Sequence, residues 1–531
     1  MSQESRLRKS RDSWKHKSVQ HSSKIRYLHR ELNRVKNERD RLKAEIKDSR
    51  SHQCQLATQS QGLAFGNKER LVFLALLLFL VAHIGFRAVS RVLGVFAKFL
   101  GFDKAPCPQT IINWVTRLSM VRIQSQPIVT GIDTQQAPFY NGMIWMIDMS
   151  IALGTGKILA ILGLNVRHHQ FSSNAPGFEN VHCVAVSVAD SWTGEAIADF
   201  IKQIIPVTGR PAAYLKDGGT DLKKAIRLLK DEKLESPTID DISHVIANML
   251  KHRYHDHPLF ETFLSSCGRV SGKLKQTILA CLAPPKVQTK ARFMNVHRLI
   301  KWADQLLTLS PPGAAAKNSI LSKLRTCLDK LPSCRAFIRR FRADVTPLLA
   351  CQKILKTKGL SDDSLAQCEP LIQTIASPDL RCDFQSYLHK QMEIAKTLDL
   401  DKIGLPISSD QIESLFGLAK QHGTGQIKDA DRIALRIPAM CGSVTLEDAK
   451  KVLGISVSDQ KEIMDCYTSV IKQRSQILTN SDHLESLGTE QSRKHVTLIP
   501  TTKNRSKNDE STNISNFYPD SYVPDAIGQY G

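Results

Sequence analysis

The spacing of apolar residues changes period along the chain, and each change predicts a different kind of element. Between Ile25 and Ile46 the apolar positions are Ile25, Leu28, Leu32, Val35, Leu42 and Ile46, interrupted once at Arg39. Gaps of three and four are those of a short coiled-coil seam. Its flanks are rich in Arg, Lys and Glu, so the helix can pair with a second copy of itself or lie along a phosphate backbone. A Gln/Ser/Gly-rich linker near residues 51–67 follows. The run LVFLALLLFLVAHI, Leu71 to Ile84, is then apolar except for His83. It falls short of the roughly 20 residues of a membrane span and reads as a buried core helix. Anchoring in a membrane through residues 71–86 is the remote alternative.

Two further helices are expected from Arg87 to Leu100 and from Pro108 to Met120, separated by a turn carrying Gly101, Asp103 and Pro106. In the second, Ile111, Ile112, Val115 and Leu118 share one side and leave Gln109, Thr110, Asn113 and Arg117 on another. This is a helix-turn-helix pattern whose recognition helix offers amide, hydroxyl and guanidinium groups to base edges and phosphates. Any three-helix bundle shows the same periodicity.

From residue 142 the period falls to two: GMIWMIDMS, KILAILGLNV and VHCVAVSVAD predict an antiparallel meander. A helix, GEAIADFIKQII, precedes AAYLKD, a strand that needs a crossover and so runs parallel to the first. Strand, strand, strand, helix, strand is the order of a ribonuclease H-like fold. The helix TDLKKAIRLLK, the stretch TIDDIS and HVIANMLKH follow, and residues 258–400 are patterned as amphipathic helices. Beyond Ile437 two helices are predicted, LEDAKKVL capped by Thr445 and DQKEIMDCYTSVIKQRSQIL capped by Ser458. The last fifty residues, poor in apolar clusters, are expected to be disordered.

The expected fold is therefore α/β: a ribonuclease H-like core with a large all-helical insertion, preceded by a helix-turn-helix domain and an N-terminal coiled coil. The expected plan is a basic arm (1–60), the helix-turn-helix domain (68–125), a first core segment (140–255), the helical insertion (256–404), a final core helix (405–440), C-terminal helices (441–480) and a tail (481–531).

Charge adds a partner class. Over 531 residues, 73 Lys/Arg against 51 Asp/Glu give a net charge of +22, the footprint of a polyanion binder. Residues 1–50 hold 16 Lys/Arg against 7 Asp/Glu, so the excess is concentrated in a basic arm, which can equally be a solubilising tail. The twelve cysteines are scattered without metal-knuckle or redox spacing, and no secretory signal is visible, which points to a reducing cytoplasm.

Three acidic residues carry the candidate chemistry: Asp148 closing MIWMIDMS, Asp217 closing PAAYLKD, and Glu413 in SSDQIESLFGLAK. Phosphodiester transfer needs charge compensation on the attacking and leaving oxygens, which two divalent ions about 3.5–4 Å apart can supply. Mg²⁺ takes hard carboxylate oxygens and keeps several waters, so a few acids suffice. Asp148 and Asp217 project at neighbouring strand ends in such a sheet. Glu413 joins them if its helix, capped by Ser408 or Ser409, packs through Ile412, Leu415, Phe416 and Ala419. Lys420, two turns on, can reach a phosphate.

The stretches YLKDGGTDLKKAI, DISHVIANMLKH and SSDQIESLFGLAK resemble the blocks around the second and third catalytic acids of DDE transposases of bacterial insertion sequences. FRAVSRVLGVF with QTIINWVTRL is similar to the helix-turn-helix those enzymes use on element ends. The resemblance touches much of residues 85–440. It implies Asp148, Asp217 and Glu413 as a triad holding two Mg²⁺ ions, with Mn²⁺ able to substitute. It also implies hydrolytic nicking at the element end, followed by attack of the freed 3′ hydroxyl on target DNA. The expected partners are double-stranded DNA, as element ends and target, and further copies of the chain, with no membrane and a location at the nucleoid. DNA contacts are expected at Arg87, Arg91, Gln109, Thr110, Asn113, Arg117, Lys251 and Lys420, and His244 and Asn248 near the site. A nuclease that hydrolyses without joining, and a DNA-binding protein whose acids are remnants, are the alternatives.

Several other features have plainer explanations. Asp190 is the best substitute for Asp148 but begins a turn, Asp240 and Asp241 can be outer groups of the site, and Asp410 reads as a helix cap. The cluster His252, His255 and His257 has ligand-like spacing without an acid or thiol partner. Arg335, Arg339, Arg340 and Arg342 are candidate DNA contacts in the insertion or a solvated face. LGTGK and KDGGTD lack the frame of a phosphate-binding loop.

Overall fold

The computed structural model describes residues 14, 21–22, 29, 31–41, 68–102, 104–125, 142–151, 156–165, 176–286, 292–310, 313–421, 429–465, 467, 470–480 and 495–501. Its chain divides into two compact units, Met1–Ala75 with Phe86–Ile111, and Leu76–Gly85 with Ile112–Gly531.

The first unit is helical in its described part. Residues 31–41 are helical, and Leu32 and Val35 of the predicted seam are exposed. The rest of the seam and the linker lie outside the described residues. Helix α1 (Lys68–Leu80) begins in this unit, and α2 (Phe86–Phe96) buries Phe86, Val89 and Leu93. The Ser90 hydroxyl donates to the Pro106 carbonyl at 2.8 Å and fixes the turn. Helix α3 (Pro108–Gln124) begins here, with Ile112 onward in the second unit.

The apolar run of Leu71–Ile84 is helical only to Leu80: His83 adopts φ 54° and Val81 is exposed. Among the described residues no helix is long and apolar enough to cross a membrane.

The second unit is mixed α/β around one six-stranded sheet. Its strands are β1 (Met143–Ile151), β2 (Lys157–Asn165), β3 (Val181–Ala189), β4 (Ala213–Lys216), β5 (Thr238–Asp240) and β6 (Thr497–Leu498), in the order β5-β4-β1-β2-β3-β6. β1, β2 and β3 form the expected antiparallel meander, and β4 runs parallel to β1 and to β5. The crossover to β4 is α4 (Gly194–Thr208), and α5 (Thr220–Asp231) leads to β5.

Side chains alternate across a strand. Trp145 and Ile147 of β1, with Leu159, Ile161 and Tyr214, join one buried cluster with Ile197, Ile201 and Ile204 of α4 and Leu222 and Leu229 of α5. That face is thus closed by two helices. The opposite face of β1 carries Ile144, Met146, Asp148 and Ser150.

The block that follows is entirely helical among the described residues, apart from short turns and an isolated bridge. It comprises α6 (Ile242–Tyr254), α7 (Pro258–Lys275), α8 (Arg292–Thr308), α9 (Ile320–Leu328), α10 (Arg335–Lys358), α11 (Asp362–Gln373) and α12 (Pro378–Thr397). At its centre the fully buried Asp344 of α10 accepts from the Tyr254 and Ser377 hydroxyls and from the Ser377 amide. Two unpartnered oxygens there would be costly, so this cluster fixes α6, α10 and the start of α12 together. The Leu360↔Leu405 bridge then brings the chain back. It needs Gly359, at φ 70°, because a Cβ there would stand 2.9 Å from the Gly404 carbonyl carbon.

Helix α13 (Asp410–Gln421) returns to the sheet, followed by α14 (Ala430–Ala434), α15 (Leu446–Gly454), α16 (Val457–Asp465) and α17 (Val470–Thr479). Thr445 caps α15 as expected, accepting from the Asp448 amide. The long C-terminal helix predicted from Asp459 is instead two helices, and Ser458 lies inside the first of them. The Ser456 hydroxyl serves its start, accepting from the Asp459 amide at 3.0 Å.

The stretch expected to be a disordered tail contains β6. Val496 and Leu498 are buried while Thr497 between them is exposed, so even this short alternation pairs with the open edge of β3. Residues 481–494 and 502–531 lie outside the described residues.

Candidate active site

The site begins with register. β1 and β4 pair in parallel up to Ile147↔Lys216, so Asp148 and Asp217 are the next residues on adjacent strands. Asp148 does not close its strand as expected, since β1 continues to Ile151. Its carboxyl accepts from the Met149 amide at 2.6 Å. Burial and the like charges of Asp217 and Glu413 push the Asp148 carboxyl up to about 7, against a downward pull from the Met149 amide and from His244.

Asp217 lies immediately past β4, where its Oδ1 accepts from the Gly219 amide at 2.9 Å. This Asx-type turn orients the carboxylate and starts α5. A Cβ at Gly218 would lie 3.3 Å from the Asn248 amide nitrogen, so the loop after β4 runs close beneath α6. Lys216, itself buried, turns away and pairs with Asp240 at 2.9 Å.

Glu413 follows Asp217 after 195 intervening residues. Helix α13 buries Ile412, Leu415, Phe416 and Ala419, the stripe predicted to face the sheet, and the Lys420 ammonium donates to the Ser150 hydroxyl of β1 at 2.6 Å. α13 therefore covers the face that carries Asp148. Burial lowers the Lys420 pKa while Asp148 acts in the opposite sense. The Glu413 carboxylate meets His244 Nε2 at 3.1 Å. That contact is the main reason the imidazole is pushed up to about 9.

His244 and Asn248 thus lie one turn apart on α6, one at Glu413 and the other over the Asp217 loop. No match to this chain is found among protein-family models or curated proteins. Its chemistry has to be argued from these groups.

The outer acids take distinct roles. Asp241 caps α6, accepting from the His244 amide, and also grips Ser409. Ser409 therefore donates its hydroxyl to another segment, while the Ser408 hydroxyl accepts from the Asp410 amide at 3.3 Å. Asp410 is not a cap but an ion-pair partner of Lys356 at 2.6 Å. Asp190 meets His495 at 3.5 Å.

Of the expected DNA contacts, Arg87, Arg91, Gln109 and Lys251 are exposed, whereas Thr110 and Asn113 are half-buried. Arg117 is also half-buried, and its Nε donates to Gln460 at 2.7 Å. His257 caps α7, accepting from the Leu259 amide, and stacks near Phe337, so it is occupied apart from the exposed His252 and His255. In the helical block Arg342 pairs with Asp304, while Arg339 and Arg340 are exposed.

Sequence reasoning missed Ser150 and the double grip of Asp241. Ser150 had a signal, since two residues on from Asp148 in a strand is the same face. The link from Asp241 to Ser409 had none, because it joins residues 168 apart.

Among the described residues no three His, Cys, Asp or Glu side chains gather closely enough to ligate one ion. Mg²⁺ is held by one or two carboxylates together with water and substrate phosphate rather than by an all-protein cage. Hard oxygen donors in pairs, with one carboxyl raised by burial and by its like-charged neighbours, fit such an ion.

Proposed function

We propose that the chain is a DNA transposase of the DDE type, built on a ribonuclease H-like core, that cleaves the ends of its own element and joins them to target DNA. The observation that carries this reading is that Asp148, Asp217 and Glu413, from three separate elements, lie near enough for the charges of the other two acids to add to the burial that raises Asp148 to about 7. Support for the core comes from the strand order β3-β2-β1-β4-β5 with its antiparallel and parallel halves. The all-helical block between β5 and α13 supports the expected insertion. The +22 charge of the chain supports a polyanionic substrate.

In this reading Asp148 and Asp217 would hold one Mg²⁺ or Mn²⁺ ion, and Glu413 would contribute to the second. Bound divalent ions supply charge compensation for the attacking and leaving oxygens. Lys420, fixed by Ser150 on the same face, offers its ammonium to the scissile-strand phosphate. His244 orients the Glu413 carboxylate, and Gly218 leaves room for Asn248 to approach the Asp217 loop. The partly buried position of Asp148 excludes bulk water and strengthens each of these interactions.

The test uses labelled duplexes carrying the DNA that flanks the coding segment, a target plasmid and Mg²⁺. Nicked ends and joined products are expected. Asp148→Ala, Asp217→Ala and Glu413→Gln should each lower cleavage by about 10²–10³-fold or more while sparing end binding. Full cleavage by any one of them would remove that residue from the triad. Hydrolysis without joined products would leave a nuclease, and footprinting without nicking in Mg²⁺ or Mn²⁺ would leave a DNA-binding protein with remnant acids.

A further inference from the structure

We infer that Asp241 is the positioning residue of this site: it locks the segment carrying Glu413 to the helix carrying His244 and to the end of β4. The inference rests on the carboxylate reading above and adds to it the device that brings the distant acid home.

Asp241 lies 1 % exposed between β5 and α6. Its amide donates to the Lys216 carbonyl at 2.9 Å, so its backbone is fastened to the residue immediately before Asp217. One carboxylate oxygen accepts from the His244 amide at 2.9 Å. The other accepts from both the amide and the hydroxyl of Ser409, at 2.6 and 2.9 Å. Ser409 stands four residues before Glu413, and its carbonyl accepts the Glu413 amide at 3.3 Å in the first turn of α13.

One residue therefore connects three segments: its amide holds the backbone before Asp217, and its carboxylate holds the start of the helix that presents His244 and the start of the helix that presents Glu413. The parallel bond from the Ile242 amide to the Ile407 carbonyl, at 2.9 Å, runs beside it. That bond sets the direction of the returning chain, whereas the Asp241–Ser409 pair sets where α13 begins.

Three N–H and O–H donors converge on two oxygens, which only a group that accepts at both positions can satisfy. An asparagine would turn its NH₂ against either the His244 amide or the Ser409 pair. Groups behind metal-binding side chains commonly matter this way, with about 10–100-fold in affinity lost on their removal. A displacement of the order of 1 Å at the reacting groups is enough to cost about 100-fold in rate.

The full-length protein is titrated with Mn²⁺ alone, following the free-ion signal by electron paramagnetic resonance, with thermal melts of each variant alongside. Asp241→Asn should weaken Mn²⁺ binding about 10-fold, and Ser409→Ala, which removes one donor of the three, should weaken it less. Because both act through one contact, the double variant should bind no more weakly than Asp241→Asn. If Asp241→Asn does not fold, Ser409→Ala carries the test. Folded single variants that bind Mn²⁺ as the wild type does would overturn the positioning role while leaving the site reading intact, provided Glu413→Gln weakens binding. A wild type that takes up no Mn²⁺ would overturn both.

Discussion

Asp148 is held in conflict with its surroundings, and the conflict has a measurable sign. Its carboxyl is raised from the usual range to about 7, so the folded protein prefers it protonated more strongly than the unfolded chain does. Stability attributable to this group is therefore fully present below about pH 4 and is lost as pH rises towards 7. Asp148→Asn should raise the melting temperature of the metal-free protein at pH 8 and leave it nearly unchanged at pH 4. Allowing for solvent screening, the gain is about 1–2 kcal/mol. The same substitution should remove cleavage, so a variant that is more stable and inactive is the expected signature of a site that trades stability for charge. A melting temperature at pH 8 equal to the wild type would show that Asp148 is not strained by its neighbours. Asp344 shows the contrast: it is a fully buried carboxylate whose oxygens are satisfied by Tyr254 and Ser377.

At the scale of elements, β6 is the addition that the remaining strands do not require. It pairs with the edge of β3 through Val186↔Leu498 and Ser187↔Thr497, covering backbone groups that an open edge would expose. Its anchor is His495, whose Nδ1 meets Asp431 at 3.1 Å and whose Nε2 meets Asp190 at 3.5 Å, while the Val496 amide donates to Asp431 at 2.8 Å. Asp431 is the first cause of an upward shift of the His495 pKa. A raised histidine stabilises fully below its unfolded value near 6.5 and loses that contribution as pH rises through the folded value. His495→Gln should thus cost about 1 kcal/mol in urea unfolding at pH 6 and progressively less towards pH 9. A pH-independent cost would mean that packing, not the ion pair, holds the strand.

At the scale of the whole molecule, the proposed association with DNA makes a prediction about charge. A net charge of +22 with a concentrated basic arm predicts binding that weakens steeply with salt. Removing residues 1–50, which carry 16 Lys/Arg, should flatten the dependence of log affinity on log salt by several units while leaving cleavage chemistry in place. An unchanged slope would assign the arm to self-association through Leu28, Leu32 and Val35 instead.

The local elements were legible because each is a periodic pattern with its own punctuation. Alternation in MIWMIDMS and KILAILGLN, the crossover before AAYLK, and Thr445 before LEDAKKVL needed only neighbours in sequence. Patterning also put Asp148 in a strand, Asp217 at a strand end and Glu413 in a helix, where the structure has them. It misplaced the limits of the Leu71 helix, the cap at Ser458 and the order in the tail, where a turn or one edge pairing decides the outcome. What only the tertiary structure decided is how the elements that carry these acids are set against one another. Register between β1 and β4 sets Asp148 beside Asp217, and Asp241 gripping Ser409 fixes the start of α13, whose Glu413 meets His244. Contacts across 168 residues leave no trace in local periodicity, because their energy comes from donors and acceptors that become neighbours only after the helical block has folded.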